Sequence, residues 1–153
     1  MRSLLIFAAA LGILATPTLY AYASPSDRSS EVRLRLDGKP FEPELALTAA
    51  ARSRGLMFRK RAPQDGMLFV YGSPTTTGFW MLNTRVPLTI VFFDRRGRRV
   101  QRLSMTPCRR APCRIYRPRR SYSFALELPA SDTRPAATLG PRSELERLVA
   151  RAN

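Results

Sequence analysis

Leu88-Thr-Ile-Val-Phe-Phe93 runs into Asp94-Arg95-Arg96-Gly97, and Val100-Gln-Arg-Leu-Ser-Met105 follows. The first segment is rich in β-branched and aromatic side chains, which suit a buried, pleated strand. Asp and Gly make the middle segment a turn, so the third segment pairs back across it as an antiparallel hairpin. Two more apolar bursts lie upstream: Gly66 to Tyr71, ending at Gly72, and Gly78 to Leu82, ending at Asn83-Thr84. Downstream, Tyr122, Phe124, Leu126 and Leu128 stand in phase along another strand. Nearer the start, Glu31 to Leu36 alternates strictly, with Val32, Leu34 and Leu36 on one face. Asp37-Gly38-Lys39-Pro40 is a turn, and Phe41 to Leu47 returns as a second strand. Thr48 is placed to cap a short helix, Ala49 to Arg54, that Gly55 ends. Ser143-Glu144-Leu145-Glu146 fits a capping box, and Leu145, Leu148 and Val149 then share one helical stripe. The sum is an α+β domain, mainly antiparallel β: a curled sheet or partly open barrel with one or two short helices.

Composition limits the chemistry. The 153 residues suffice for one domain. Histidine is absent, which removes Ser-His-Asp and Cys-His catalysis and every His-ligated metal site. Two cysteines cannot form a four-cysteine metal site. Met57, Met67 and Met81 neighbour aromatics and could in principle hold Cu(I). Without His or a tight Met cluster, they read as soft core packing. No metal or other cofactor is expected.

The first residues point to export. A basic start at Arg2, an apolar run from Leu4 to Ala15 and the small residues of Ala21-Tyr22-Ala23 form a secretory signal pattern. Cleavage after Ala23 is expected. An uncleaved membrane anchor is the alternative. Residues 24–30 are read as a mobile lead-in and 31–153 as a single domain, in the periplasm or outside the cell. In that oxidising setting Cys108 and Cys113, five positions apart, are expected to bond and pin a local turn.

Three ordered blocks carry a family resemblance: GLMFR at Gly55 to Arg59, GMLF at Gly66 to Phe69, and FWMLNTRVPLTIVFFD at Phe79 to Asp94. With Glu44 to Thr48, the cysteine pair before Tyr116, and the ALEL of Ala125 to Leu128, the chain resembles domain of unknown function family 192 (DUF192) from about residue 31 to 140. The resemblance implies a small β-rich domain, often exported, with no assigned activity and no catalytic residues. Thr89 stands where members usually have Asp, and Ser131 where they usually have Gly. Arg142-Ser143 replaces a late Gly-Asp.

Within these blocks Asn83 and Thr84 can shape a turn through their own side chains, without any ligand. The functional reading has Trp80, Asn83 and Thr84 lining a pocket, with Arg59 as an anion clamp. Trp80 is expected to be mostly buried. A second feature is charge: Lys plus Arg is 26 against 11 acidic residues, a net charge of +15. From Arg95 to Arg120 there are eleven arginines and no carboxylate. A solvated face explains such a run. An anionic-surface patch of Arg95, Arg96, Arg98, Arg99, Arg109 and Arg110 is the functional reading, with lipid head groups, lipopolysaccharide or acidic polymers as partners. Nucleic acid would suit the charge, but export sets it aside.

Two functions follow from these readings. The favoured one is a non-enzymatic envelope protein that binds an anionic surface or small ligand. The other is a hydrolase or lyase acting on an envelope polymer, with Glu44, Asp65, Asp94 or Glu127 as acid or base.

Overall fold

A computed structural model describes residues 33–152. The expected signal segment, residues 1–23, and lead-in, residues 24–30, lie outside the described residues. Two strands, β1 (Leu34–Leu36) and β2 (Lys39–Phe41), form a hairpin. Its two-residue turn has Asp37 at φ +50° and Gly38 at φ +78°, a pair of left-handed residues that matches the twist of the strands. Strand β10 (Leu139–Gly140) pairs with the other side of β1, giving the order β10-β1-β2.

The main sheet has five strands in the order β3-β4-β9-β6-β7. They are β3 (Glu44–Ala46), β4 (Met67–Thr75), β6 (Leu88–Phe93), β7 (Arg99–Met105) and β9 (Tyr122–Pro129). Only β3 runs parallel to its neighbour. The hairpin of Leu88 to Met105 forms as its sequence predicts, with Leu88 opposite Met105. A separate ribbon joins β5 (Phe79–Trp80) to β8 (Ile115–Tyr116). Among the described residues the sheets do not close into a barrel.

The main sheet is covered on both faces. On one face Leu68, Val91, Phe93, Phe124 and Leu126 meet β1, β2 and the stripe Leu145, Leu148 and Val149 of helix α2 (Arg142–Arg151). On the other, Phe69, Ile90, Phe92 and Ala125 meet Leu56, Phe79, Met81 and Tyr116. Each fully buried aliphatic or aromatic side chain contributes about 1.5–3 kcal/mol. Helix α1 (Ala49–Arg54) begins and ends as expected. The Thr48 hydroxyl accepts the Ala51 N–H at 3.1 Å, and Gly55 leaves the helix at φ +46°.

Four expectations need correction. Phe41 to Leu47 is not one strand. Pro43 has no N–H, and the Glu42 N–H goes to the Asp65 carboxylate at 2.9 Å, so the chain leaves one sheet and enters the other. Strand β4 does not stop at Gly72 but continues to Thr75 through an irregularity in register. Tyr122 is out of step with Phe124 and packs on the opposite face of the sheet. Helix α2 starts at Arg142 behind Pro141, which offers no side-chain cap. Ser143 therefore lies inside the first turn, and Glu146 pairs with Arg142 at 2.9 Å instead of closing a capping box.

Cys108 and Cys113 are bonded, with Cα atoms 5.9 Å apart. Cys108 is also tied to the end of β5's segment: its N–H donates to Met81 O at 3.2 Å, and its carbonyl accepts the Asn83 N–H at 3.0 Å.

Candidate functional site

Glu127 sits on β9, the middle strand of the five, between Met67 of β4 and Ile90 of β6. Its side chain is 5 % exposed. It stands at the base of an open cleft of about 310 Å³ whose walls include Arg52, Met57, Tyr71, Trp80 and Thr84. Three small residues shape the chain around Glu127 and the ribbon beside it. Ala125, two residues earlier on the same face, is small. Gly66 lets β4 enter the sheet directly against the Glu127 carbonyl. Gly78 lets the β5–β8 ribbon fold tightly over Ile115 and Arg117.

Burial pushes the Glu127 carboxyl up to about 8. At neutral pH it keeps its proton and can both donate and accept a hydrogen bond. Arg52 forms a fixed wall. Its Nη1 donates to Leu47 O at 2.6 Å and Val70 O at 3.0 Å, and its guanidinium lies 5.0 Å from the centre of the Tyr71 ring. Tyr122 packs edge-on against Tyr71 and donates its hydroxyl to Thr77 O at 2.7 Å. Burial raises both phenols, so they stay neutral.

Of the expected pocket residues, Trp80 and Thr84 line this cleft. Asn83 lines a neighbouring one with Phe58, Thr84, Arg85, Cys108 and Arg109. Thr84 is common to both. The turn at Asn83 is held through its backbone: φ is +59°, a region Asn tolerates, and its carbonyl accepts the Phe58 N–H at 2.9 Å. Arg59 lines neither cleft. It grips the Glu44 carboxylate with two bonds of 2.6 Å, and those bonds hold the Glu44 carboxyl below its ordinary range.

Trp80 is not buried: it is 49 % exposed. In a two-stranded ribbon alternate residues face opposite ways, and Phe79 takes the inward position, edge-on to Phe69 at 5.0 Å. Truncating Phe79 to alanine should therefore cost about 3–5 kcal/mol. Trp80→Ala should cost only about 1–2 kcal/mol, from the half of the ring that is covered. Denaturant melts of the two variants check this. Equal costs would mean that Trp80 is a core residue after all.

The other carboxylates serve the fold. Asp65 pairs with Arg134 at 2.8 Å. Asp94 accepts the Arg96 and Arg98 N–H groups at 2.8 and 3.0 Å inside its turn. Met67 and Met81 are core residues, and Met57 borders the cleft. Among the described residues no three Cys, Asp or Glu side chains are grouped to hold a metal ion.

The arginines called a patch divide into two groups. Arg95, Arg96, Arg98 and Arg99 lie at the hairpin turn, where Arg120 joins Arg98 and Arg99 around a separate open depression. Arg109 and Arg110 lie in the disulfide loop beyond Met105, at the other end of β7. Six strand residues separate the two by about 20 Å.

The family profile of DUF192, described as Uncharacterized ACR, matches residues 32–138. Among solved structures, the chain is similar to a protein of Sinorhizobium meliloti 1021 assigned provisionally as a transcription regulator. That pair shares 29 % identity over 71 % of this chain and 89 % of the other, with a TM-score of 0.60. It is also similar to a protein of unknown function from Novosphingobium aromaticivorans DSM 12444. Here identity is 26 % over 67 % of this chain and 76 % of the other, with a TM-score of 0.58. No curated protein matches the chain.

Proposed function

Because the chain belongs to the DUF192 family, and the matched region holds every wall of the Glu127 cleft, we propose that it is an exported, non-enzymatic envelope domain that holds a small ligand in that cleft. One observation carries this reading: a buried carboxyl at the base of an open cleft, under a half-exposed Trp80. The volume is at the lower end of ordinary ligand pockets. A fitting ligand has a flat apolar face for the indole and an oxygen or nitrogen that bonds the protonated Glu127. Support for export is indirect. The Cys108–Cys113 bond suits an oxidising compartment. No helix among the described residues is long and apolar enough to cross a membrane.

A carboxylate-dependent hydrolase or lyase is the competing reading. It draws on the same raised acid, which resembles a general acid poised for neutral pH. The lining described here brings one carboxyl to the cleft, whereas glycoside-type hydrolysis uses two.

Trp80 is the sole tryptophan, so its fluorescence reports on the rim directly. Titration with small envelope-derived sugars, peptides and lipid fragments should find a ligand that changes the signal saturably. Glu127→Leu, which removes both the donor and the acceptor, should weaken it by about tenfold, the effect of losing one buried hydrogen bond. Turnover of the titrant would favour the hydrolase. An unchanged affinity in the variant would remove the cleft from the argument.

A further inference from the structure

Three segments meet at Asn83: residues 54–64, 78–87 and 106–120. Phe58 donates its N–H to the Asn83 carbonyl, and the Asn83 N–H donates to Cys108 O. Each segment supplies one exposed large apolar side chain: Phe58 at 56 %, Trp80 at 49 % and Ile115 at 45 %. Together the segments contain eleven Lys and Arg residues and no Asp or Glu; of the eleven, Arg120 stands apart beside Arg98 and Arg99 at the hairpin end. Arg59 alone among these eleven is paired with a carboxylate in the described structure.

Shared neighbours link the three apolar groups. Trp80 and Ile115 are cross-strand partners. The outward side of Gly78 is covered by Ile115 and by the aliphatic stem of Arg117. Phe58 shares a cleft with Arg85 and Arg109, and that cleft shares Thr84 with the Trp80 cleft. A soluble polyanion would meet the guanidiniums but leave the indole, phenyl and sec-butyl groups in water. The boundary between lipid head groups and acyl chains takes both.

We infer that this face docks on an anionic lipid bilayer, with Phe58, Trp80 and Ile115 at head-group depth and arginines such as Arg85, Arg109 and Arg117 on the lipid phosphates. The inference is independent of any ligand in the Glu127 cleft.

The probe is a vesicle of equal parts phosphatidylglycerol and phosphatidylcholine, with pure phosphatidylcholine as the comparison. Trp80 emission should shift to the blue on the mixed vesicles, be quenched by brominated acyl chains, and stay unchanged on the neutral ones. Arg109→Gln, Arg110→Gln and Arg117→Gln together should weaken binding by about tenfold or more, given the contribution of each near-surface arginine. Phe58→Ser with Ile115→Ser should weaken it independently and leave Trp80 as reporter. Arg95→Gln with Arg96→Gln, at the far end of β7, should bind nearly as the parent does. So should Glu127→Leu, which separates this inference from the cleft. The inference is overturned if the mixed vesicles leave Trp80 emission where it is in water, or if the Arg95 and Arg96 variant loses as much binding as the triple variant. It is also overturned if soluble polyphosphate saturates the protein while vesicles leave the indole unmoved.

Discussion

Equilibrium unfolding near pH 9 should report a protein on the order of 4 kcal/mol less stable than near pH 5, and Glu127→Gln should flatten the difference. The sign follows from Glu127. Its folded-state carboxyl titrates near 8, against 4.5 for an ordinary glutamate. Between those values the unfolded chain releases the proton and the folded chain keeps it, so folding is linked to proton uptake. The contribution is fully present below about pH 4.5 and is lost as pH rises through about 8. Few other groups can mask the effect. Histidine is absent, and free cysteines are absent among the described residues. The Glu44 carboxyl is shifted downward, so its own dependence falls below this window. A parent protein with flat stability across the range would mean that Glu127 is solvated and ionised, and that the cleft has no neutral acid at its base.

Gly66→Ala should be nearly as damaging, at about 3 kcal/mol or more. Gly66 stands at φ +69°, and a Cβ there would lie 1.9 Å from the Glu127 carbonyl oxygen and 2.9 Å from its carbon. Both atoms belong to the backbone of the central strand, so neither can swing aside. Gly38 is the matched control. It has φ +78° but nothing within 4 Å of the added carbon. Gly38→Ala should therefore cost only the backbone penalty, about 1–2 kcal/mol. Similar losses at the two positions, in denaturant midpoints, would show that conformation alone and not the close approach governs Gly66.

The parts of the fold legible in the sequence are those set by local chemistry. Leu88 to Met105 reads correctly because strand formers flank the turn Asp94-Arg95-Arg96-Gly97, and α1 because Thr48 and Gly55 mark its ends. Local signals failed where tertiary partners decide. Ser143 and Glu146 look like a capping box, but Leu139 and Gly140 pair with β1 and fix where the chain enters α2. Phe41 to Leu47 looks continuous, but Asp65, far along the chain, takes the Glu42 N–H.

The site follows the same division. Trp80 and Thr84 are found from their motif. Glu127 is one of four candidate carboxylates, and its local signal is faint. The alternation of Phe124, Leu126 and Leu128 made Ser123, Ala125 and Glu127 look like a solvent face. Because β5, β8 and Leu56 cover that face, the acid is buried instead. A lone acid two residues after a small one, Ala125, in a strand otherwise fit for a core, is the available signal. Arg52 and Tyr71 carried none, since their place in the cleft depends on how α1 lies over β4.

Strand β7 has one further consequence. It is the long edge of the main sheet, paired with β6 on one side and covered on the other only at its start, where the Arg99 N–H donates to Ala137 O at 3.0 Å, and such an edge is a template for self-association. Here Arg99 and Arg102 reach across to the carbonyls of Pro135, Arg134 and Asp132, while Arg119 is held against Gln101. A second copy bringing up the same edge would meet these cationic side chains with its own. Part of the arginine excess would thus disfavour the addition of one molecule's sheet to another's.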